Sequence, residues 1–425
     1  MKARSCDFCW MSFALILLLC TGCGAKQVPS SHHGPAALEL KRLVAVDPEV
    51  KRLLIASIEK ARLTNPDPST NPAQTLEQYF DFVSWAEHAI PARLIAANAD
   101  ATLYQRIDQS LGYLYFVCDQ PLSELEGRGY LNNSLQYVES YNSWLKTFVR
   151  SWGRFLDTPE SWNEDYLRLA QADEGFGLSR GWYEDPSRWT TFNQFFARRL
   201  RSAQQRPIAA PDDESLVVSP VDAVPQGVWA IDDHSRVVEE SGISVKTGTI
   251  TSVEQLVGEH SQYKSAFGGG TFTHLFLDVY DYHRYHFPLS GVVREVTIIP
   301  GQELSGGRVS WDPVNGRYKF DPSLVGYQAL ETRATVILET DEHGLVAIIP
   351  IGMSPVSSVN IEPTIKEGVR VRKGDMLGNF LFGGSDFVLL FQAGYGFTLE
   401  LPRGEPHQDY AHLLMGERLG RLRRK

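Results

Sequence analysis

The stretch NFLFGGSDFVLLF, residues 379–391, decides how the second half of this chain reads. Phe380, Leu381 and Phe382 on one side and Phe387 to Phe391 on the other have the apolar character of a buried β-strand, yet the middle is Gly383-Gly384-Ser385-Asp386. Glycine in a strand interior loses backbone entropy and packs nothing, so it marks a bulge or a close backbone approach. Outward from this stretch, the runs SLVVSPVDAV, GVWAID, THLFLDVY, GVVREVTII, ATVILET, LVAIIPIG and DFVLLFQ are short, β-branched or aromatic, and separated by Gly, Pro and Asp turns. They predict a mostly β region. Upstream, LEQYFDFVSWAEHAI (76–90) and SLQYVESYNSWLKTFVRSWGRFL (134–156) repeat apolar residues at three and four, as amphipathic helices do. The expected fold class is α+β, with a helical N-terminal region over 37–205 and a β-rich domain over 206–425.

The 425 residues carry 41 Lys and Arg against 51 Asp and Glu, a net charge of −10 that argues against a broad nucleic-acid surface. The one basic concentration, RLGRLRRK at the C-terminus, reads as a solvated tail, with contact to anionic lipid head groups as the alternative. At the other end, Lys2 and Arg4 precede the apolar run WMSFALILLLC, which is short for a membrane span. The following Thr21-Gly22-Cys23 resembles a bacterial lipoprotein lipobox, with Cys20 where leucine is usual. The resemblance implies a signal peptide over 1–22 and lipid on Cys23. It also implies a cell-envelope protein anchored to a bacterial membrane on the extracytoplasmic side. Residues 23–36 form a Gly/Pro/Ser tether. Once the leader is removed and Cys23 is acylated, Cys118 is the remaining thiol, so no internal disulfide is available.

Three places carry polar residues that strand packing does not need. Asp222 in SPVDAV follows an apolar run and is costly to bury without a partner, although a turn aspartate is the simpler reading. His283 and His286 in DYHRYHFPLSG are three apart and point to opposite faces of a straight strand, with a bend expected before Pro288. This spacing is weak for a metal site, and no metal is expected. Ser385 could be a nucleophile served by a histidine and a carboxylate, in chain order Asp222, His286, Ser385. Its surroundings are not the G-x-S-x-G elbow of α/β-hydrolases. Alternatively its hydroxyl attacks the carbonyl of Gly384 just behind it, where glycine tolerates a strained and closely approached backbone.

FGGS before an apolar run, preceded by VRKGDMLGNF, resembles the maturation site of phosphatidylserine decarboxylases. DYHRYHFPLSG is similar to that family's D-Y-H-R-x-H-x-P-x-x-G, and TFNQFFARRL with RPIAAPDDESLVVSPVDAV to its entry segment. The matches run in the family's order over roughly 190–395. The resemblance implies that Ser385 attacks Gly384 and the chain cuts itself there. Ser385 then becomes a pyruvoyl cofactor on the smaller of two chains that stay associated. Asp222 and His286 would activate Ser385, and His283 would donate a proton to the substrate or position it. The pyruvoyl ketone would form a Schiff base with an amine-bearing substrate and accept electrons as CO₂ leaves. The default substrate is phosphatidylserine, giving phosphatidylethanolamine. Some relatives decarboxylate free amino acids, including aromatic ones.

Several positions depart from the pattern. Ala223 stands for a glycine, LDVYDYH for L-S-P-x-D-Y-H, GQELSGGRVSWDPVNGRYKF (301–320) for a short segment, and ALETRAT for N-E-R-V with Arg333 as the matching base. Asp386 replaces threonine beside the nascent cofactor, where a charge could position an amine or slow self-cleavage. A non-catalytic lipoprotein that keeps the fold as a binding module is the alternative from another class.

Overall fold

The computed structural model describes residues 33–92, 101–128, 133–238, 253–301, 308–321, 331–355, 358–401 and 410–424. The leader, Cys23 and the tether as far as residue 32 lie outside the described residues, and the tether's last two residues, Pro35 and Ala36, already belong to the first helix. Among the described residues no helix is long and apolar enough to cross a membrane.

The described helices are α1 (Pro35–Val46), α2 (Pro48–Thr64), α3 (Leu76–Ala86), α4 (Leu103–Tyr115), α5 (Glu139–Phe155), α6 (Glu164–Ala172), α7 (Phe192–Phe196) and α8 (Val253–Val257). Their starts follow capping chemistry. Asp47 accepts from Glu49 N and Val50 N before Pro48 opens α2. Thr102 and Gln105 form a reciprocal capping box on α4. Helix α5 buries Tyr141, Trp144, Leu145, Phe148, Val149 and Trp152, the three-and-four spacing seen in its sequence. Its indoles are also tied down: Trp144 Nε1 donates to Ala36 O at 2.9 Å and Trp152 Nε1 to Ala89 O at 2.7 Å.

The early strands are β1 (Leu216–Val218), β2 (Val224–Ile231), β3 (Val237–Val238), β4 (Thr271–Leu277), β5 (Arg284–His286) and β6 (Gly291–Ile299). An inserted hairpin, β7 (Arg308–Asp312) and β8 (Arg317–Asp321), precedes β9 (Thr332–Glu339), β10 (Leu345–Pro355) and β11 (Val359–Ile361). The chain continues through β12 (Arg370–Val371), β13 (Met376–Phe380), β14 (Gly383–Phe391), β15 (Tyr395–Leu399) and β16 (Arg418–Arg424). An eight-stranded antiparallel sheet has the order β12-β6-β9-β10-β14-β4-β2-β3, and smaller sheets pair β1-β16-β15 and β11-β13-β5. All seven apolar runs singled out in the β-rich half fall on strands.

Two expectations are corrected. Residues 379–391 are not one interrupted strand: β13 ends at Phe380 in one sheet and β14 begins at Gly383 in another. The glycines make the crossing. Gly383 has φ +154°, an angle side chains rarely adopt, and the β10 register slips opposite it between Met353 and Pro355. The basic C-terminus is no solvated tail but the central strand of the β1-β16-β15 sheet. Leu419 and Leu422 are buried there, and Arg418 and Arg421 pair with Glu400 and Asp213.

Strand β14 alternates between two cores, as a period of two requires. Phe387, Leu389 and Phe391 join a large cluster that takes in the helices, while Val388 and Leu390 join a small one beneath α8. The large cluster runs unbroken from Ala36 to Leu422. The inserted hairpin belongs to this junction of helices and sheet. Gln109 of α4 exchanges two hydrogen bonds with the Tyr318 backbone, at 2.7 and 3.0 Å. Gly112 makes room for the contact, since a Cβ there would lie 2.3 Å from Tyr318 Cβ. The described part of the 301–320 segment, the β7–β8 hairpin, thus docks on the helical region.

Candidate active site

Ser385 is the third residue of β14, opposite Gly352 of β10 and Leu277 of β4. It is fully buried, and its hydroxyl has no hydrogen-bond partner. An orphaned buried hydroxyl costs about 1–3 kcal/mol, so its retention calls for a chemical reason. By alternation its side chain shares a face with Phe387 and the large core.

Three aromatic rings hold the chain just before the junction. Phe382 meets Phe192 and Phe196 of α7 at centroid distances of 5.0 and 5.3 Å, and Trp152 of α5 at 5.6 Å. Asn193 of α7 accepts from Phe382 N at 3.3 Å. The TFNQFFARRL segment therefore acts here as the bracket of the Phe382–Ser385 turn. Phe196 also stacks on His283, with ring centroids 3.8 Å apart. His283 is fully buried, and the Asp281 backbone is the polar group that its ring reaches. Burial, reinforced by the nearby Arg198 charge, pushes its pKa well below the ordinary histidine value, so the ring is neutral.

His286 lies elsewhere. Its Nδ1 is 2.8 Å from Gly374 O, which makes that nitrogen the donor, and its Nε2 is 3.4 Å from the Tyr282 hydroxyl. Burial lowers its pKa too, partly offset by the Gly374 carbonyl and the Asp222 charge. Asp222 is buried and grips Arg206 with both oxygens, at 3.1 Å from Nε and 2.6 Å from Nη2. It also accepts from Met415 N at 2.7 Å. Asp222 and His286 thus share one buried polar cluster without a hydrogen bond between them, and Ser385 bonds neither. Next to this cluster His412 meets Asp281 at 2.8 Å.

Asp386 faces away from Ser385. It shares its face with Val388 and Leu390 and lies over the small core. His274 of β4, a diagonal cross-strand neighbour, brings Nε2 to 2.9 Å from Asp386 Oδ1. The charge expected beside the nascent cofactor is on the other side of the sheet. Arg333 is on that side as well, opposite Ile351, and donates to the carbonyls of Gln255 and Leu256 at the end of α8. Burial lowers its pKa to about 10.

Sequence reasoning missed Arg206, Phe196, Asn193 and His274. The first three lie inside quoted motifs, but their partners are remote in sequence. Among the described residues no cluster of His, Cys, Asp and Glu fits a metal ion.

The two depressed histidines predict an acid-sensitive fold. Unfolded, each takes up a proton near 6.5, while in the folded protein burial shifts both uptakes to lower pH. Below that pH the unfolded state binds more protons, so stability falls as the pH drops from about 7 towards about 5. His412 and Asp281, whose pKa values are raised, act in the opposite sense. The informative measurement is therefore a difference: urea midpoints across this range should depend less steeply on pH in His283→Gln than in the parent.

A family model described as phosphatidylserine decarboxylase matches residues 192–421, more than half of the chain. The decarboxylase iboD of Amanita muscaria is 29% identical over 283 residues, covering 59% of this chain and 77% of that protein. Phosphatidylserine decarboxylase proenzyme 3 of Schizosaccharomyces pombe is 32% identical over 236 residues, 54% of this chain and 22% of its own. An L-tryptophan decarboxylase of Psilocybe cyanescens is 27% identical over 286 residues, 59% of this chain and 62% of its own. In the last two the match spans less than two thirds of the relative.

Proposed function

The chain belongs to the phosphatidylserine decarboxylase family of carboxy-lyases, and from that premise we propose that it cuts itself between Gly384 and Ser385 to make a pyruvoyl-dependent decarboxylase. The observation that carries this reading is the buried, unpartnered Ser385 hydroxyl behind a glycine turn. Ser385 Oγ attacks the Gly384 carbonyl carbon, the peptide C–N bond breaks, and an ester links the two residues while residue 385 keeps a free amine. Loss of the Cα proton of residue 385 expels the Gly384 carboxylate and leaves dehydroalanine. Hydrolysis of that group releases ammonia and leaves a pyruvoyl end on the smaller chain. The same buried position suits the group once formed, where it supplies an electron sink for the leaving carboxylate.

The chain's own residues take the remaining roles. His286, oriented by the Gly374 carbonyl and biased by Asp222, takes the part of the base for Ser385 on the strength of the family pattern, since no hydrogen bond joins the two here. His283, buried and held neutral, donates a proton to the substrate or positions it. Phe196 and Phe382 keep water from this face.

Phosphatidylserine is the first substrate reading. A free amino acid is the second; Asp278 follows Leu277, the β4 register partner of Ser385. Its carboxyl is bonded by Tyr104 of α4, and burial raises its pKa to about 6. The likeness to the L-tryptophan decarboxylase supports the second reading. The lipobox-like leader supports anchoring through Cys23 to the outer side of a bacterial membrane.

Intact mass under denaturing conditions tests the proposal. Two chains are expected, the smaller beginning with a pyruvoyl group at position 385 and the larger beginning at an acylated Cys23. One uncut mass from folded protein would sink the self-cleavage reading and leave the binding-module alternative. CO₂ release from phosphatidylserine against free amino acids then selects the substrate.

A further inference from the structure

A cleft of about 540 Å³ opens beside the segment that leads into the junction, lined by three arginines, Arg188, Arg199 and Arg284. Arg284 is only 7% exposed. Its Nε donates to Ala197 O at 2.9 Å, but its buried Nη1 has no hydrogen-bond acceptor, and the Glu362 carboxylate is 3.9 Å away. The carboxylates of the cleft wall serve other donors. Asp157 accepts from Asn193 Nδ2 at 2.8 Å. Glu184 accepts from Trp189 Nε1 at 3.1 Å and from Arg199 N at 3.0 Å. Burial and then the Arg199 charge depress the pKa of Arg284, opposed by the Glu362 and Glu184 carboxylates, and both guanidinium-bearing residues line the same space. A buried guanidinium donor without an acceptor is expensive and is relieved by an anion.

We propose that this cleft binds a phosphate-type oxyanion carried on a small organic body, with Arg284 at the floor and Arg199 at the rim. Two converging guanidinium forks match a multiply charged tetrahedral oxyanion better than a single carboxylate. The cleft is too large for a bare ion, and Trp189 and Leu381 supply apolar wall for the body. The site is independent of self-cleavage, although Asn193 on its wall also holds Phe382 N. The oxyanion is either a lipid head group or a soluble phosphate ester.

The test is calorimetric titration of the full chain with inorganic phosphate and with glycerophosphoserine, together with co-sedimentation on phosphatidylserine vesicles. Saturable binding is expected, weakened about tenfold or more in Arg199→Ala, the loss of one charge-assisted contact. Charge reversal in Arg199→Glu is expected to abolish it. Arg199 is exposed, so these variants should fold, whereas Arg284 also holds the end of α7. Vesicle binding lost in Arg199→Glu would identify the lipid head group, and binding confined to the soluble compounds would identify a soluble ester. No saturable binding to any of the three, or equal binding by Arg199→Glu, overturns the proposal.

Discussion

Ser385→Ala is expected to give a single uncut chain that is inactive and at least as stable as the uncut parent precursor. The argument starts from the missing partner. The parent hydroxyl is fully buried and bonds nothing, so the folded state has given up its hydration without compensation. Alanine removes that burden, leaves Cβ in place, and keeps the β10 and β4 pairing of position 385. Stability should therefore hold or rise by about 1 kcal/mol. Loss of cleavage and CO₂ release would then report chemistry, because unfolding is excluded in the same sample by its thermal melt. A cut Ser385→Ala chain would show that another group severs the bond. A large fall in melting temperature would instead show that the hydroxyl has a structural partner. Ser385→Cys provides the contrast, since a thiol can still attack Gly384 although its thioester leaves by a different route.

Much of this geometry is legible in the sequence wherever a feature is local. Alternation in DFVLLFQ marks a strand with two buried faces, and the spacing of Tyr141, Trp144, Leu145 and Phe148 marks one face of α5. The glycines at 383 and 384 signal a local irregularity, and Gly383 supplies it. What sequence cannot show is which strand lies beside which. His274 is a lone histidine in an apolar run until the β4–β14 register puts it diagonal to Asp386. Asp386 is next to Ser385 along the chain and across the sheet from its side chain in space. RLGRLRRK looks like a tail because its arginines outnumber its leucines, yet β1 and β15 supply hydrogen bonds on both edges and Glu400 and Asp213 supply the counter-charges. Arg206 stands inside a quoted motif, but nothing local says that its partner is Asp222.

That pair sets the second large effect. Arg206→Met is expected to lower stability by about 3–5 kcal/mol, because it leaves the Asp222 carboxylate buried with its main counter-charge gone. Asp222→Asn should cost less. The amide can still accept from Met415 N, and the Arg206 guanidinium keeps the Trp182 ring at 4.3 Å and the Gln205 carbonyl at 3.0 Å. The two variants therefore separate structure from chemistry. If Asp222 serves only to anchor Arg206, then Asp222→Asn should cleave at the parent rate whenever it is folded. If its charge biases His286 for proton transfer, as their proximity implies, then folded Asp222→Asn should cleave at least about tenfold more slowly, within the range for general acid–base catalysis. Urea midpoints and the time course of the uncut mass, followed on the same preparations, distinguish these outcomes. Arg206→Met with Asp222→Leu should recover most of the stability lost in the single arginine variant, since an apolar pair of similar volume replaces a buried ion pair at little cost. Such a double variant that is stable but uncut would place the Asp222 carboxylate in the self-cleavage step rather than in the fold.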